Sequence, residues 1–173
     1  HLTSLLPQGQ SILEAPVHYD LRSLGRVSPV RNQGSCGSCW AFATYSSLES
    51  VVYQTEQWDF SEQNLKNLSG FDYGTCGGGD APMSIAYMTR WSGPVREADD
   101  PYDPLVSVSP TGLAVPRYLS AALAIPDRSG PLDNAALKSA VQEWGAVYTS
   151  MLWVDGSYSN GTHSYFYGGA YGS

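Results

Sequence analysis

Apolar positions recur with helical spacing in several stretches of the chain and crowd together, strand-like, in one. Ala41, Tyr45, Leu48 and Val52 fall at i, i+4, i+7 and i+11, which predicts a helix over about 39–53. A second, short helix is expected over 61–68, with Ser61 as its cap and Glu62 in its first turn. Asp80 is placed to cap a third, with Pro82 in the first turn, Met83, Tyr87, Arg90 and Trp91 along it, and Gly93-Pro94 as the stop. A fourth starts at Asp133 or Asn134, with Leu137, Val141 and Trp144 on its buried face and Gly145 ending it. Residues 147–154, rich in β-branched and aromatic side chains, are the best strand candidate. Helices early and strands late give an α+β class with two lobes.

The intervening stretches are turns. Asp20-Leu21-Arg22 leads to a short extended piece at 27–30, and Asn32-Gln33-Gly34-Ser35-Cys36-Gly37-Ser38 forms a tight loop of small and polar residues. Three glycines, Gly77 to Gly79, are read as a place where backbone approaches a ligand closely. Most prolines, and the acidic cluster Glu97, Asp99, Asp100 and Asp103, lie in residues 94–131. Those carboxylates sit among turn signals, so a solvated loop is the expectation, with a calcium site as the lesser reading.

Composition narrows the function. The 173 residues include five Trp, 12 Tyr and four Phe, enough apolar surface to offset the entropy of ordering the chain. Nine Lys and Arg against 16 Asp and Glu, a net charge of −7, is the wrong sign for nucleic-acid binding through a basic face. No apolar run approaches a membrane span, and no charged n-region with an apolar h-region opens the chain. Asn160-Gly161-Thr162 is formally a glycosylation sequon.

Three cysteines, Cys36, Cys39 and Cys76, allow a metal site, a redox pair, or one disulfide plus a reactive thiol. Zinc would need further ligands at short spacing, whereas Cys76, His1, His18 and His163 are scattered, so no metal or other cofactor is expected. A thioredoxin-like unit would need a βαβ pattern around Cys36-Gly37-Ser38-Cys39, and the preceding segment is short and broken by Pro29. Cys39 falls at the first position of a predicted helix. There, unpaired N–H groups and the positive dipole end stabilise a thiolate.

Gln33-Gly34-Ser35-Cys36-Gly37-Ser38-Cys39-Trp40-Ala41-Phe42 resembles the nucleophile segment of papain-like cysteine peptidases. In the same order, Ser61-Glu62-Gln63-Asn64-Leu65 is similar to the second-helix signature of the cathepsin branch, and Cys76-Gly77-Gly78-Gly79 to that family's Cys-Asn-Gly-Gly turn. The resemblance spans about residues 16–173. It implies a papain-like fold with a helical left lobe and a β-rich right lobe, the latter incomplete here. Residues 1–15 would be a leader, propeptide or linker remnant, 16–30 an N-terminal segment crossing to the right lobe, 31–114 the helical lobe and 115–173 the start of the β-rich one.

The resemblance also implies site roles. Cys39 would be the nucleophile, and the Gln33 side-chain amide with the Cys39 backbone N–H would form the oxyanion hole. Cys36 would pair with Cys76 in a disulfide. Trp40, Gly78 and Gly79 would meet an extended peptide or protein substrate, the glycines through backbone hydrogen bonds. Asp80, Met83 and Ser150 would wall the subsite for the second residue before the scissile bond. A disulfide and this family together imply a secreted or cell-surface protein.

Three departures from the family pattern stand out. Leu68 occupies the place of a cysteine in the family's second pair, and Gly77 that of the turn asparagine. With Ser92-Gly93-Pro94 after a long helix, these look like the bacterial and archaeal cell-surface branch, some of whose members carry a lectin-like domain. Third, the family's general-base histidine lies roughly 130–150 residues after the nucleophile, at about position 169 or later. His163 falls short of that window and lacks the family's context, and Tyr165 onward resembles the approach to the histidine. The expectation is that a C-terminal segment beyond Ser173 carries the His and its orienting Asn. The competing expectation is a catalytically inactive surface binding protein on the same scaffold.

Overall fold

The computed structural model describes residues 15–53, 55–154, 156–159, 161–162, 164–166 and 168–169. His1, His163 and Asn160 lie outside them.

Three helices carry the core. Helix α1 spans Cys39–Val52, α2 spans Glu62–Leu68 and α3 spans Ala81–Thr89, and the three pack on one another. Trp40, Ala41 and Tyr45 from α1, Phe60 and Leu65 around α2, and Met83, Tyr87 and Met88 from α3 form one buried cluster. Removing a ring the size of Tyr45, Phe60 or Tyr87 from water contributes about 2–3 kcal/mol each. Caps fix where the helices begin: the Ser61 hydroxyl accepts from Asn64 N at 3.0 Å, and the Asp80 carboxylate from Met83 N at 3.0 Å. Helix α3 is shorter than the sequence suggests. It stops at Thr89, and exposed Trp91 takes a positive φ of 64° in the position a glycine usually fills.

The acidic cluster is not uniformly solvated. Asp100 is buried and accepts from Asn64 Nδ2 at 2.8 Å, while the Tyr87 hydroxyl donates to the same Asn64 side chain. Glu97, in a 3-10 turn over Glu97–Asp99, accepts the Tyr102 backbone N–H at 2.9 Å. Asp99 and Asp103 remain exposed as expected. Among the described residues no group of three His, Cys, Asp or Glu side chains is placed to hold a metal ion.

Where the family's second cysteine would stand, Leu68 packs against the core cluster. The adjoining chain is held to α2 by polar bonds instead. Lys66 Nζ donates to Val106 O at 2.7 Å, Gln63 Nε2 to the same carbonyl at 3.0 Å, and Asn67 Nδ2 to Ser109 Oγ at 3.0 Å.

Helix α4, Ala135–Glu143, has Asn134 at its N-cap without a side-chain cap bond, its side chain bonding Arg128 and Pro131 O instead, and Asp133 accepts from Ser129. Its expected apolar face is covered in part: Val141 and Trp144 are half-buried and Leu137 is exposed, while Ala140 beside them is buried. What docks α4 is polar. Gln142 O accepts from Arg26 at 3.2 Å, and Ser47 and Ser50 on α1 bond Ala146 at 2.7 and 2.8 Å.

Residues 147–154 form no ladder with any described residue. The composition suits a strand, but a strand needs a neighbour for its N–H and C=O groups. The paired strands are β1, Tyr158–Ser159, and β2, Ser164–Tyr165, antiparallel with Tyr158 opposite Tyr165. Trp153 stacks on Tyr165, ring centroids 5.0 Å apart. No described helix is long and apolar enough to cross a membrane.

Candidate active site

The loop before α1 is braced from within and from one outside residue. Gln33 Nε2 donates to Cys36 O at 2.8 Å, leaving the second amide hydrogen of the same nitrogen for another acceptor. Tyr102, reached through the Asp100-Pro101 turn, donates its hydroxyl to Gln33 O at 2.8 Å and receives the Ser38 hydroxyl at 2.6 Å. Its ring meets Phe42 edge-on at 4.8 Å.

Ser38 is the N-cap of α1 and makes no side-chain cap bond, because its hydroxyl is turned to Tyr102. The first-turn N–H groups of a helix have no intrahelical acceptors. Here Ala41 N is taken up by Ser38 O at 2.9 Å, and Cys39, the free and exposed thiol, is the first residue of that turn.

Cys36 is disulfide-bonded to Cys76, Cα–Cα 4.7 Å, and Gly37 N donates to Cys76 O at 3.2 Å. This ties the loop to the glycine turn. The three glycines do different things. A Cβ at Gly77 would lie 1.7 Å from Tyr73 O, and one at Gly79 would lie 2.5 Å from the Trp40 indole, so both are demanded by packing. Gly78, at φ +100°, faces open space. Trp40 is 3% exposed, so its indole is the seat on which Gly79 rests.

Asp80 is exposed and follows directly on this contact, Met83 is buried in the core cluster, and Ser150 is exposed. Tyr148, half-buried, packs against the same cluster. Burial pushes its phenol up, the negative charges of Cys39 and Asp80 push it further, and a hydrogen bond with Ser150 opposes them. Gly79 thus rests on Trp40, and Trp40, Met83 and Tyr148 belong to one cluster. Sequence reasoning passed over both tyrosines. The signal for Tyr102 was an aromatic fixed after a proline amid charges; Tyr148 was legible only as a strand residue.

Beyond Gln33 in the N-terminal direction lies a buried acidic group. Glu49 and Glu62 are buried and Glu97 half-buried, with Arg31 paired to Asp59 and 3.6 Å from Glu97. Burial pushes Glu62 up to about 8, Glu97 and Glu49 add to it, and Arg31 opposes. Burial also raises Glu49 and Glu97. A recess of about 480 Å³ lined by Arg31, Asn32, Phe42, Glu97 and Tyr102, among others, borders this group and does not include Cys39.

An exposed thiol at the start of α1, an amide donor in the loop before it and a glycine turn tied to that loop by a disulfide make up this site. The family model described as papain family cysteine protease matches residues 15–165, and the chain belongs to that family. It is 37% identical over 91 residues to a viral cathepsin of Lymantria dispar multicapsid nuclear polyhedrosis virus, covering 51% of this chain and 25% of that protein. It is 40% identical over 92 residues to Peptidase 1 of Dermatophagoides farinae, covering 52% and 28%. Among solved structures, a recombinant stem bromelain precursor matches with a TM-score of 0.65 at 26% identity, covering 76% of this chain and 43% of that one. The bromelain protease of Ananas comosus in complex with the E64 inhibitor matches at 0.62 and 26%, covering 72% and 57%. The matched region spans about a quarter of the length of these curated relatives.

Proposed function

We propose that the protein is a cysteine endopeptidase acting on protein or peptide substrates, with Cys39 as its nucleophile. The observation that carries this is the placement of Cys39, a free and exposed thiol at the first position of α1, where its own N–H precedes the intrahelical ladder. The Cys39 thiolate attacks the scissile carbonyl, and the oxyanion is held by the Cys39 N–H and the remaining Gln33 amide hydrogen. The C–S bond forms, the C–N bond breaks, and the thiol proton passes through a general base to the leaving amine. Water then cleaves the thioester, returning the thiol.

The base is a histidine oriented by an asparagine, as the family resemblance implies. Among the described residues the histidine is His18, beside Asp20. Gly78 and Gly79 give the substrate a backbone edge, Trp40 seats that edge, and Asp80, Met83 and Ser150 wall the second subsite. The Cys36–Cys76 disulfide supports a secreted or cell-surface setting. Leu68, Gly77 and the Gly93-Pro94 element support the bacterial and archaeal cell-surface branch.

The test is iodoacetamide at neutral pH on the full-length protein, with peptide mapping and a casein-hydrolysis assay. Selective labelling of Cys39 that abolishes hydrolysis is expected. Hydrolysis that survives complete Cys39 alkylation, or no hydrolysis by reduced full-length protein, overturns the reading, and the latter result favours the inactive binding scaffold.

A further inference from the structure

We propose that the recess walled by Val30, Arg31, Phe42, Glu97 and Tyr102 receives one basic side chain, lysine or arginine, from a peptide segment outside these 173 residues, and pairs it with Glu97 and Glu62. The site is separate from the Cys39 chemistry above and does not rest on it.

Hydrogen bonds bring the acidic side chains together. Phe60 N donates to Glu49 Oε1 at 2.8 Å, Ser61 N to Val95 O at 3.0 Å and Glu97 N to Asp59 O at 3.0 Å. Residues 59–61 are thus bridged to 95–97, which sets Glu62, the next residue, near Glu97 and Glu49. Glu97 Oε1 accepts the Tyr102 N–H and lies 3.6 Å from Arg31, but its Oε2 is buried with no hydrogen-bond partner among the described residues. Glu62 is 4% exposed and its Oε2 is in the same condition. The wholly buried Tyr45 hydroxyl is a third such atom. Buried polar atoms in folded proteins are otherwise paired, and carboxylates most of all.

One guanidinium answers this group. Arg31 bonds Asp59 and reaches Glu97 Oε1 with its other nitrogen. The remaining salt bridges among the described residues include none of Glu49, Glu62 and Glu97. All nine Lys and Arg of the sequence lie among the described residues, so the chain holds no further cation in reserve. In these residues by themselves, burial, with Glu97 and Glu49 adding to it, pushes the Glu62 carboxyl up to about 8. A metal ion suits the place less well, because no three His, Cys, Asp or Glu side chains among the described residues are arranged to hold one.

The recess, of about 480 Å³, matches a basic side chain. Val30, Phe42 and Tyr102 offer apolar wall to an alkyl stem, and Glu97 offers an acceptor to its head. An ammonium or guanidinium carries only donors, and the unpartnered carboxylate oxygens here only accept. The recess also shares two residues with the loop that carries Gln33: Asn32 Oδ1 accepts Gly34 N at 2.8 Å, and Tyr102 donates to Gln33 O. An occupant would stand against both of these braces.

The test is a crystal structure of the full-length protein, grown alone and with N-acetyl-lysine methylamide, and urea melts of wild type and Glu62→Gln at neutral pH in the condition that fills the recess. A Lys or Arg nitrogen of the protein's own chain within salt-bridge distance of Glu97 or Glu62 is expected, or, where the recess stands open, the ammonium of the added probe. The first result assigns the cation to the same chain, the second to a separate peptide. With the cation bound, Glu62→Gln should raise the unfolding equilibrium constant about tenfold or more, the worth of a charge-assisted bond. With no cation, Glu62 is already protonated at neutral pH, Gln resembles it, and the constant should not move. A recess closed by a neutral side chain, one left open in the presence of the probe, or an unchanged constant would overturn the inference. Should the variant not fold, the two crystal structures decide, and no outcome bears on Cys39.

Discussion

The hydroxyls of Ser38 and Tyr102 are joined by a 2.6 Å hydrogen bond, and Tyr102 hands its own proton to Gln33 O 2.8 Å away. One phenol therefore sets both the residue before Cys39 and Gln33, the residue proposed to offer its side-chain amide to the oxyanion.

Tyr102→Phe removes both bonds and strands Ser38 and the Gln33 carbonyl. A stability loss of about 1–2 kcal/mol is expected from urea melts. Reaction of Cys39 with iodoacetamide should change little, whereas kcat on a peptide should fall about tenfold with KM nearly constant, because oxyanion alignment matters only in the transition state. Equal effects on both reactions would show that Tyr102 acts on the thiol instead.

Glu62 sets a pH dependence. Its carboxyl sits at about 8 when folded against an ordinary value of 4.5, so the folded state holds a proton that the unfolded state releases in between. The contribution is therefore fully present below about 4.5 and is lost as pH rises through about 8. At about 1.4 kcal/mol per pH unit the loss is on the order of 5 kcal/mol across that window. Urea midpoints from pH 5 to 8.5 should decline, and Glu62→Gln should flatten the decline.

Neighbouring glycines should answer differently to the same change. Gly79→Ala drives a methyl into the buried indole of Trp40, and a loss of about 2–3 kcal/mol is expected. Gly78→Ala meets open space and bears only the strain of its positive φ, about 1 kcal/mol. Denaturant midpoints of the two variants, measured side by side, check the order.

The disulfide closes 40 residues of chain. On the chain-entropy account, Cys76→Ser should lower stability by about 4 kcal/mol. Thermal melts of the wild type with and without reductant should reproduce most of that difference, and Cys36→Ser should match Cys76→Ser.

The helical part of the fold was legible because its signals are local. Ser61 and Asp80 cap the helices they were expected to cap, and Gly145 ends α4. Residues 147–154 misled because β-branched composition reports suitability for a ladder, and the ladder depends on a neighbour far along the chain. Asp100 misled in the opposite sense: its charge reads as solvated until Asn64, from α2, is brought to it. In the site, Cys39, Gln33 and Cys36 stood out in one contiguous motif and Cys76 in a second block, and the resemblance implied the pairing that the structure has. Tyr102 and Tyr148 did not, since each gains its meaning from contacts across tens of residues that no spacing rule encodes.

The polar tether made by Gln63, Lys66 and Asn67 bears on how such a protein could work under reduction. A thiol nucleophile stays competent only where something keeps it from oxidising, and the same agent attacks disulfides by thiolate exchange. In this chain Cys36–Cys76 is exposed to that conflict. The attachment of residues 106–109 to α2 is indifferent to it, because amide and ammonium donors carry no electrons to exchange. Conditions that wake Cys39 therefore put at risk one of these two attachments and leave the other in place.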